Sequence, residues 1–320
     1  MFILGMAGGL ALLILGAEIL VRGGSALARR FNISELVVGL TIVAFGTSGP
    51  ELIVSVVSAV QGSTALAVSN VLGSNLFNIL VILGASSLIT PLEVDKNTVW
   101  KGIPFLLLTC AAVFLLAEPA AGCPDTIGAL TRFDGYVLLC FFAIFLYYTF
   151  SIAKSSGELQ ETGKSPPEKM SGLLMSGFIA GGMVLLILGG RIFVASAVVL
   201  AKKLGMSESL VGLTVVAAGT SLPELASSLM AAYRGRIGMA VGNVVGSNIF
   251  NVFLVLGVSA AIRPAPLSPG DFLDNAAVAL ASLALFLFMF TGKKRSIDRW
   301  EGAVFVFAFA AYLWFKITSS

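Results

Sequence analysis

The sequence predicts an all-α membrane protein of ten transmembrane helices, arranged as two inverted five-helix repeats. Three observations carry that prediction. Of the 320 residues, 57% are hydrophobic and only 12% charged, too little charge to cover a soluble domain of this size. The charges also cluster, leaving apolar runs near 20 residues long, the length needed to cross a bilayer. Third, two polar motifs recur at one common offset of 173 residues.

The apolar runs define candidate spans at 2–21, 36–60, 65–90, 99–117, 134–153, 172–198, 208–232, 238–262, 273–291 and 301–318. The first reads as a retained helix. It has no positive segment ahead of it and no small-residue cleavage pattern, and Arg22, Arg29 and Arg30 follow the apolar run. The second and third spans hold the motifs of the first half, and the seventh and eighth hold those of the second. Between the halves lies SSGELQETGKSPPEKMS at 155–171, with a Pro-Pro pair and no apolar periodicity, which reads as a linker. The expected organisation is therefore a first repeat at 1–153, a linker loop at 154–171 and a second repeat at 172–320.

The repeat is explicit. VVGLTIVAFGTSGPE (37–51) matches LVGLTVVAAGTSLPE (210–224) at 11 of 15 positions, and NVLGSNLFN (70–78) matches NVVGSNIFN (243–251) at 7 of 9. The same offset aligns LLILG at 12–16 with LLILG at 185–189, and Pro91 with Pro264. Five spans per half is an odd number, so the second half enters the membrane from the opposite side. Such halves are related by a two-fold axis in the membrane plane.

Basic residues set the expected orientation. The side holding both termini carries five (Arg132, Lys202, Lys203, Arg263 and Lys316), the opposite side carries fourteen, and Arg191 falls inside a span. The positive-inside bias places both termini outside the cell and the 154–171 loop in the cytoplasm of a multi-pass protein of the cell membrane. Histidine is absent, and Cys110, Cys123 and Cys140 have no metal or redox spacing.

The chemistry lies in the repeated polar residues. Glu51 and Glu224 fall in the middle of their spans, where an ionised carboxylate costs about 2.5–3.5 kcal/mol. Neither span contains a lysine, arginine or histidine, so a bound cation is the natural partner. Pro50 and Pro223 lack an N–H and deprive the carbonyls of Gly46 and Gly219 of their helical donor. A helix broken at that depth is tolerated only where it is buried or lines a cavity. Freed carbonyls, the hydroxyls of Thr47, Ser48, Thr220 and Ser221, and two carboxylates form an all-oxygen set that suits hard cations such as calcium and sodium. Asn70, Ser74 and Asn78 lie along one helical face, and Asn243, Ser247 and Asn251 repeat it. Ser74, Asn78, Ser247 and Asn251 are read as ion contacts, Asn70 and Asn243 as hydrogen-bonding glue between helices.

GTSGPE (46–51), GSNLFN (73–78), GTSLPE (219–224) and GSNIFN (246–251) together resemble the paired α-repeats of the sodium/calcium exchanger family, within the cation/calcium antiporter superfamily. The resemblance spans nearly the whole chain. It implies calcium held by Glu51 and Glu224 with the backbone oxygens of Thr47 and Thr220. It implies one sodium site of Glu51, Ser247, Thr220 and the Ala217 carbonyl, and a mate of Glu224, Ser74, Ser48 and the Ala44 carbonyl. A central site would lie among Asn78, Asn251 and both glutamates, and the long helices 2–28 and 172–201 would slide past the core to switch access. The implied function is sodium/calcium antiport without a cofactor, nucleic acid or obligate protein partner. A calcium/proton exchanger and, further off, a cation channel are the rival readings. No HExxH or nucleophile elbow supports an enzyme.

The chain departs from the family pattern at three places. Asn251 stands where many relatives have Asp. Gly49 replaces a more usual leucine and is expected to loosen the first broken helix. Arg191 stands where an acid is common, while its repeat mate Glu18 keeps one. Each is expected to find a polar partner or reach the interface, an ion pair between them being one such arrangement.

Overall fold

The computed structural model describes residues 2–94, 98–117, 128–156, 170–203, 217–291 and 295–319. Among them are eight helices long and apolar enough to cross a membrane, and a ninth candidate span that is bent. In chain order the helices are α1 (Phe2–Phe31), α2 (Glu35–Thr47), α3 (Gly49–Gln61), α4 (Thr64–Ile89), α5 (Val99–Leu116), α6 (Arg132–Ser156) and α7 (Gly172–Lys203). There follow α8 (Ala217–Thr220), α9 (Leu222–Tyr233), α10 (Ile237–Ile262), α11 (Pro269–Phe288) and α12 (Arg299–Ser319). The bent span is α2 with α3. Of the span expected at 208–232, residues 208–216 lie outside the described residues, and α8 and α9 form the remainder. Most of the expected 154–171 linker, at 157–169, lies outside them too.

One expected boundary needs correction. The first span does not end at residue 21: α1 runs on through Arg22, Arg29 and Arg30. Charge ends an apolar run, but arginine is a good helix former, so hydropathy underestimates the helix. At 30 residues and ~1.5 Å per residue, α1 is longer than the bilayer core is thick. Short strands β1 (Leu92–Glu93), β2 (Gly128–Leu130), β3 (Ala265–Leu267) and β4 (Ser296–Ile297) close two antiparallel ladders, β1 with β4 and β2 with β3. Segments this short carry no readable two-residue period.

The long helices α1 and α7 lie against one another, and glycines set their separation. A Cβ on Gly9 would come within 2.8 Å of the Gly189 carbonyl, and one on Gly16 within 2.9 Å of the Gly182 carbonyl. Gly182 and Gly189 are the 173-residue counterparts of Gly9 and Gly16. Small residues permit this backbone approach between membrane helices.

Beside this pair sits the polar centre, built from α2, α3, α4, α8, α9 and α10. α4 and α10 are the most enclosed spans, whereas α1, α7 and α12 expose most of their apolar surface outward. Both α4 and α10 widen into π-helical turns, at Asn78–Leu83 and Phe250–Leu256. Such turns cluster at functional sites.

Candidate cation site

The local cause of the site is a pair of helix breaks. α2 stops at Thr47, Ser48 leaves helical geometry at φ −79°, ψ 7°, and α3 restarts at Gly49 with Pro50 in its first turn. The axis bends by 47°. Ser221, at φ −88°, ψ 8°, interrupts α8 and α9 in the same way, with Pro223 in the first turn of α9. Proline suits a first turn because the missing N–H has no intrahelical acceptor there. Each glutamate therefore opens a new helix, where its charge lies at the positive end of the peptide dipoles.

Glu51 is 0% exposed and Glu224 1%, and among the described residues neither forms a salt bridge. The two breaks instead serve each other. The Ser48 hydroxyl donates to Glu224 Oε1 at 3.0 Å, and the Ser221 hydroxyl donates to Glu51 Oε1 at 3.2 Å. The second carboxylate oxygen of each glutamate is buried without a hydrogen-bond partner among the described residues, as are Asn78 Oδ1, Asn251 Oδ1 and Ser247 Oγ. Buried polar atoms are nearly always paired, so these oxygens are available to an electropositive partner. No three His, Cys, Asp or Glu side chains converge among the described residues. The acidic groups available at this centre are thus two carboxylates, among hydroxyl, amide and carbonyl oxygens.

The remaining sequence-predicted residues fall as follows. Ser74 meets Ser221, Oγ to Oγ at 3.1 Å, and through it Glu51. The Thr47 hydroxyl is within reach of the Val43 carbonyl at 3.0 Å and of Asn243 Oδ1 at 3.2 Å. The Ala44 carbonyl accepts the Ser48 N–H at 3.0 Å. Ala217 heads the short helix α8. Asn70 and Asn243 do act as glue: Asn70 donates to Ser55 at 3.3 Å, and Asn243 to Ser227 and Ser228 at 3.0 and 2.8 Å.

Glu18 and Arg191 do not pair with each other. Arg234 donates to both carboxylate oxygens of Glu18 at 2.8 Å, and Arg22 donates to it at 2.6 Å. Arg234 lies just past α9, which packs on α1, whereas Arg191 is exposed on α7. Gly49 has open space where a side chain would project. It lines an apolar cavity of about 170 Å³ with Phe45, Ser48, Leu52, Met183 and Phe250.

Sequence reasoning overlooked Asn75 and Asn248. Both are completely buried and hydrogen-bond across the two halves. Their signal was present: they occupy the third position of the two GSN motifs, 173 residues apart. Helical periodicity directed attention to Ser74 and Asn78 instead.

This fold and its buried acidic, oxygen-lined centre define a multi-pass helical membrane protein with a central polar site. The sodium/calcium exchanger family model matches residues 1–151 and 174–318, and the chain belongs to that family. It is 31% identical over 335 residues to the sodium/calcium exchanger MaX1 of Methanosarcina acetivorans, covering 95% of each chain. It is 34% identical over 312 residues to the inner membrane protein YrbG of Escherichia coli strain K12, covering 95% of this chain and 93% of that one. A solved structure of the sodium-calcium exchanger NCX_Mj, soaked with Na+ and Ca2+, superposes with a TM-score of 0.81 at 32% identity, covering 98% of this chain and 97% of that one.

Proposed function

We propose that this cation/calcium antiporter exchanges sodium for calcium by alternating access, electrogenically and without potassium. The observation that carries the reading is the reciprocal pair, Ser48 on Glu224 and Ser221 on Glu51, with a free oxygen left on each carboxylate. Both cations need the same two carboxylates. Calcium therefore occupies Glu51 and Glu224 with the backbone oxygens of Thr47 and Thr220. Sodium ions occupy two flanking sets, Glu51 with Ser247, Thr220 and the Ala217 carbonyl, and Glu224 with Ser74, Ser48 and the Ala44 carbonyl. Asn78 and Asn251 complete the centre. One load displaces the other because the ligands are shared.

Charge follows from the same residues. With asparagine at 251, only Glu51 and Glu224 are ionised, and the empty site carries −2. One calcium ion neutralises it, and so do two sodium ions. A third sodium leaves a surplus positive charge that crosses with the protein, so the cycle senses membrane potential. Two inverted halves, 1–153 and 172–320 joined by a cytoplasmic loop, give the site two faces, and both termini lie outside the cell.

The test is calcium uptake into proteoliposomes driven by an imposed sodium gradient. Uptake that rises with a potential pulling positive charge outward with sodium, and that needs no potassium, supports the reading, provided Glu51→Gln and Glu224→Gln abolish it. Uptake driven by a pH gradient instead, or near-normal exchange in both variants, overturns it.

A further inference from the structure

We propose that Asn75 and Asn248 are positioning residues that hold Asn78 and Asn251 with their carbonyl oxygens, and not their amino groups, toward the central cation. The inference rests on the cation site proposed above. An asparagine side chain is ambivalent: one end accepts, the other donates twice. Turned one way it binds a cation, and turned the other it repels one. Something must decide.

The structure decides it from the backbone outward. A main-chain carbonyl can only accept. The Asn248 amino group donates to the Asn75 carbonyl at 3.2 Å, and the Asn75 amino group donates to the Asn248 carbonyl at 3.2 Å. These two bonds fix both amides, so each presents Oδ1 in the opposite direction. Asn248 Oδ1 then accepts from the Asn78 amino group at 2.9 Å, and Asn75 Oδ1 accepts from that of Asn251 at 3.0 Å. With their amino groups held in this way, Asn78 and Asn251 turn Oδ1 elsewhere, and both of those amide oxygens are buried without a partner among the described residues. All four side chains are at most 1% exposed, so water cannot substitute for a lost bond without entering the core. The ring follows the repeat: Asn75 with Asn248 and Asn78 with Asn251 are each 173 residues apart.

A packing role for Asn75 and Asn248 makes a different prediction, and near-isosteric leucine separates the two. Asn248→Leu releases only Asn78, and Asn75→Leu releases only Asn251. The readouts are sodium and calcium dependence of exchange in proteoliposomes, and the rise in melting temperature of the purified protein on adding sodium chloride against choline chloride. Each variant is expected to raise the sodium KM roughly tenfold, the effect of losing one charge-dipole contact of about 1.4 kcal/mol, and to shrink the sodium-induced rise in melting temperature. In an Asn78→Ala background, Asn248→Leu is expected to add nothing further, because the residue it orients is gone, whereas Asn75→Leu still acts. The inference is overturned if Asn248→Leu leaves the sodium KM and the sodium-induced stabilisation unchanged, or weakens both equally with and without Asn78. Failure of the underlying reading looks different: the unmodified protein then shows no sodium-driven calcium uptake at all.

Discussion

Arg234 grips Glu18 through two hydrogen bonds of 2.8 Å, joining the end of α9 to the middle of α1. The counterparts of these residues, 173 positions away, are Gln61 and Arg191, which cannot form an ion pair. Two halves alike in sequence thus differ in one latch. If α1 slides during the proposed cycle, the latch must open on one side only.

Arg234→Ala is therefore expected to shift the balance of the two access states away from the one described here. Arg234 is half exposed, with side-chain accessibility of 48%, so the contribution is modest, about 1 kcal/mol or a fivefold change in population. Labelling rates of single cysteines placed on α1, compared with and without the substitution, measure it. Equal rates would show that the bridge is indifferent to the state.

Ser48→Ala removes a neutral donor from a buried carboxylate and, in the proposed scheme, a sodium ligand. Sodium KM is expected to rise roughly tenfold, in line with hydrogen bonds to charged groups of about 1.5–3 kcal/mol. Calcium KM should change less, since its proposed ligands are the carboxylates and backbone oxygens. Initial rates of sodium-driven uptake at varied sodium and calcium separate the two.

Asn251→Asp should relocate charge movement within the cycle. Once ionised, a third carboxylate takes the empty site from −2 to −3, so three sodium ions are neutralised and one calcium ion is not. The sodium-loaded step is expected to lose its voltage dependence and the calcium-loaded step to acquire one. Charge displacement on a solid-supported membrane after sodium or calcium jumps would record the exchange of roles, and an unchanged sodium signal would contradict it.

Gly49→Leu should stabilise the protein. A Cβ at 49 meets nothing within 4 Å, and Gly49 lines an apolar cavity of about 170 Å³. A leucine that fills it adds buried apolar area, which contributes about 1–3 kcal/mol. Thermal unfolding in detergent is expected to shift upward, and a lowered midpoint would mean that the cavity is needed open.

The chain announced much of this in advance, for identifiable reasons. Glu51 and Glu224 were legible because an uncompensated carboxylate in an apolar run is costly wherever the run folds. That both motif helices break was legible because Pro50 and Pro223 remove a backbone donor regardless of context, whereas the sequence pointed to Gly46 and Gly219 and the structure breaks at Ser48 and Ser221. Asn75 and Asn248 were not separable from their neighbours, because one residue along a helix turns a side chain by about 100° and only the partner helix says which direction is inward.

What the sequence alone determined is whatever depends on the local composition of the chain: membrane residence, the duplicated motifs, the buried acids and the broken helices. The tertiary structure decided pairings between residues remote in the chain. It gave Glu18 to Arg234 rather than to Arg191, sent each serine to the glutamate of the other half, and closed the asparagine ring. The physical reason is range. Hydropathy and backbone chemistry act within a few residues, whereas a hydrogen bond across some 170 positions exists only after the helices have packed.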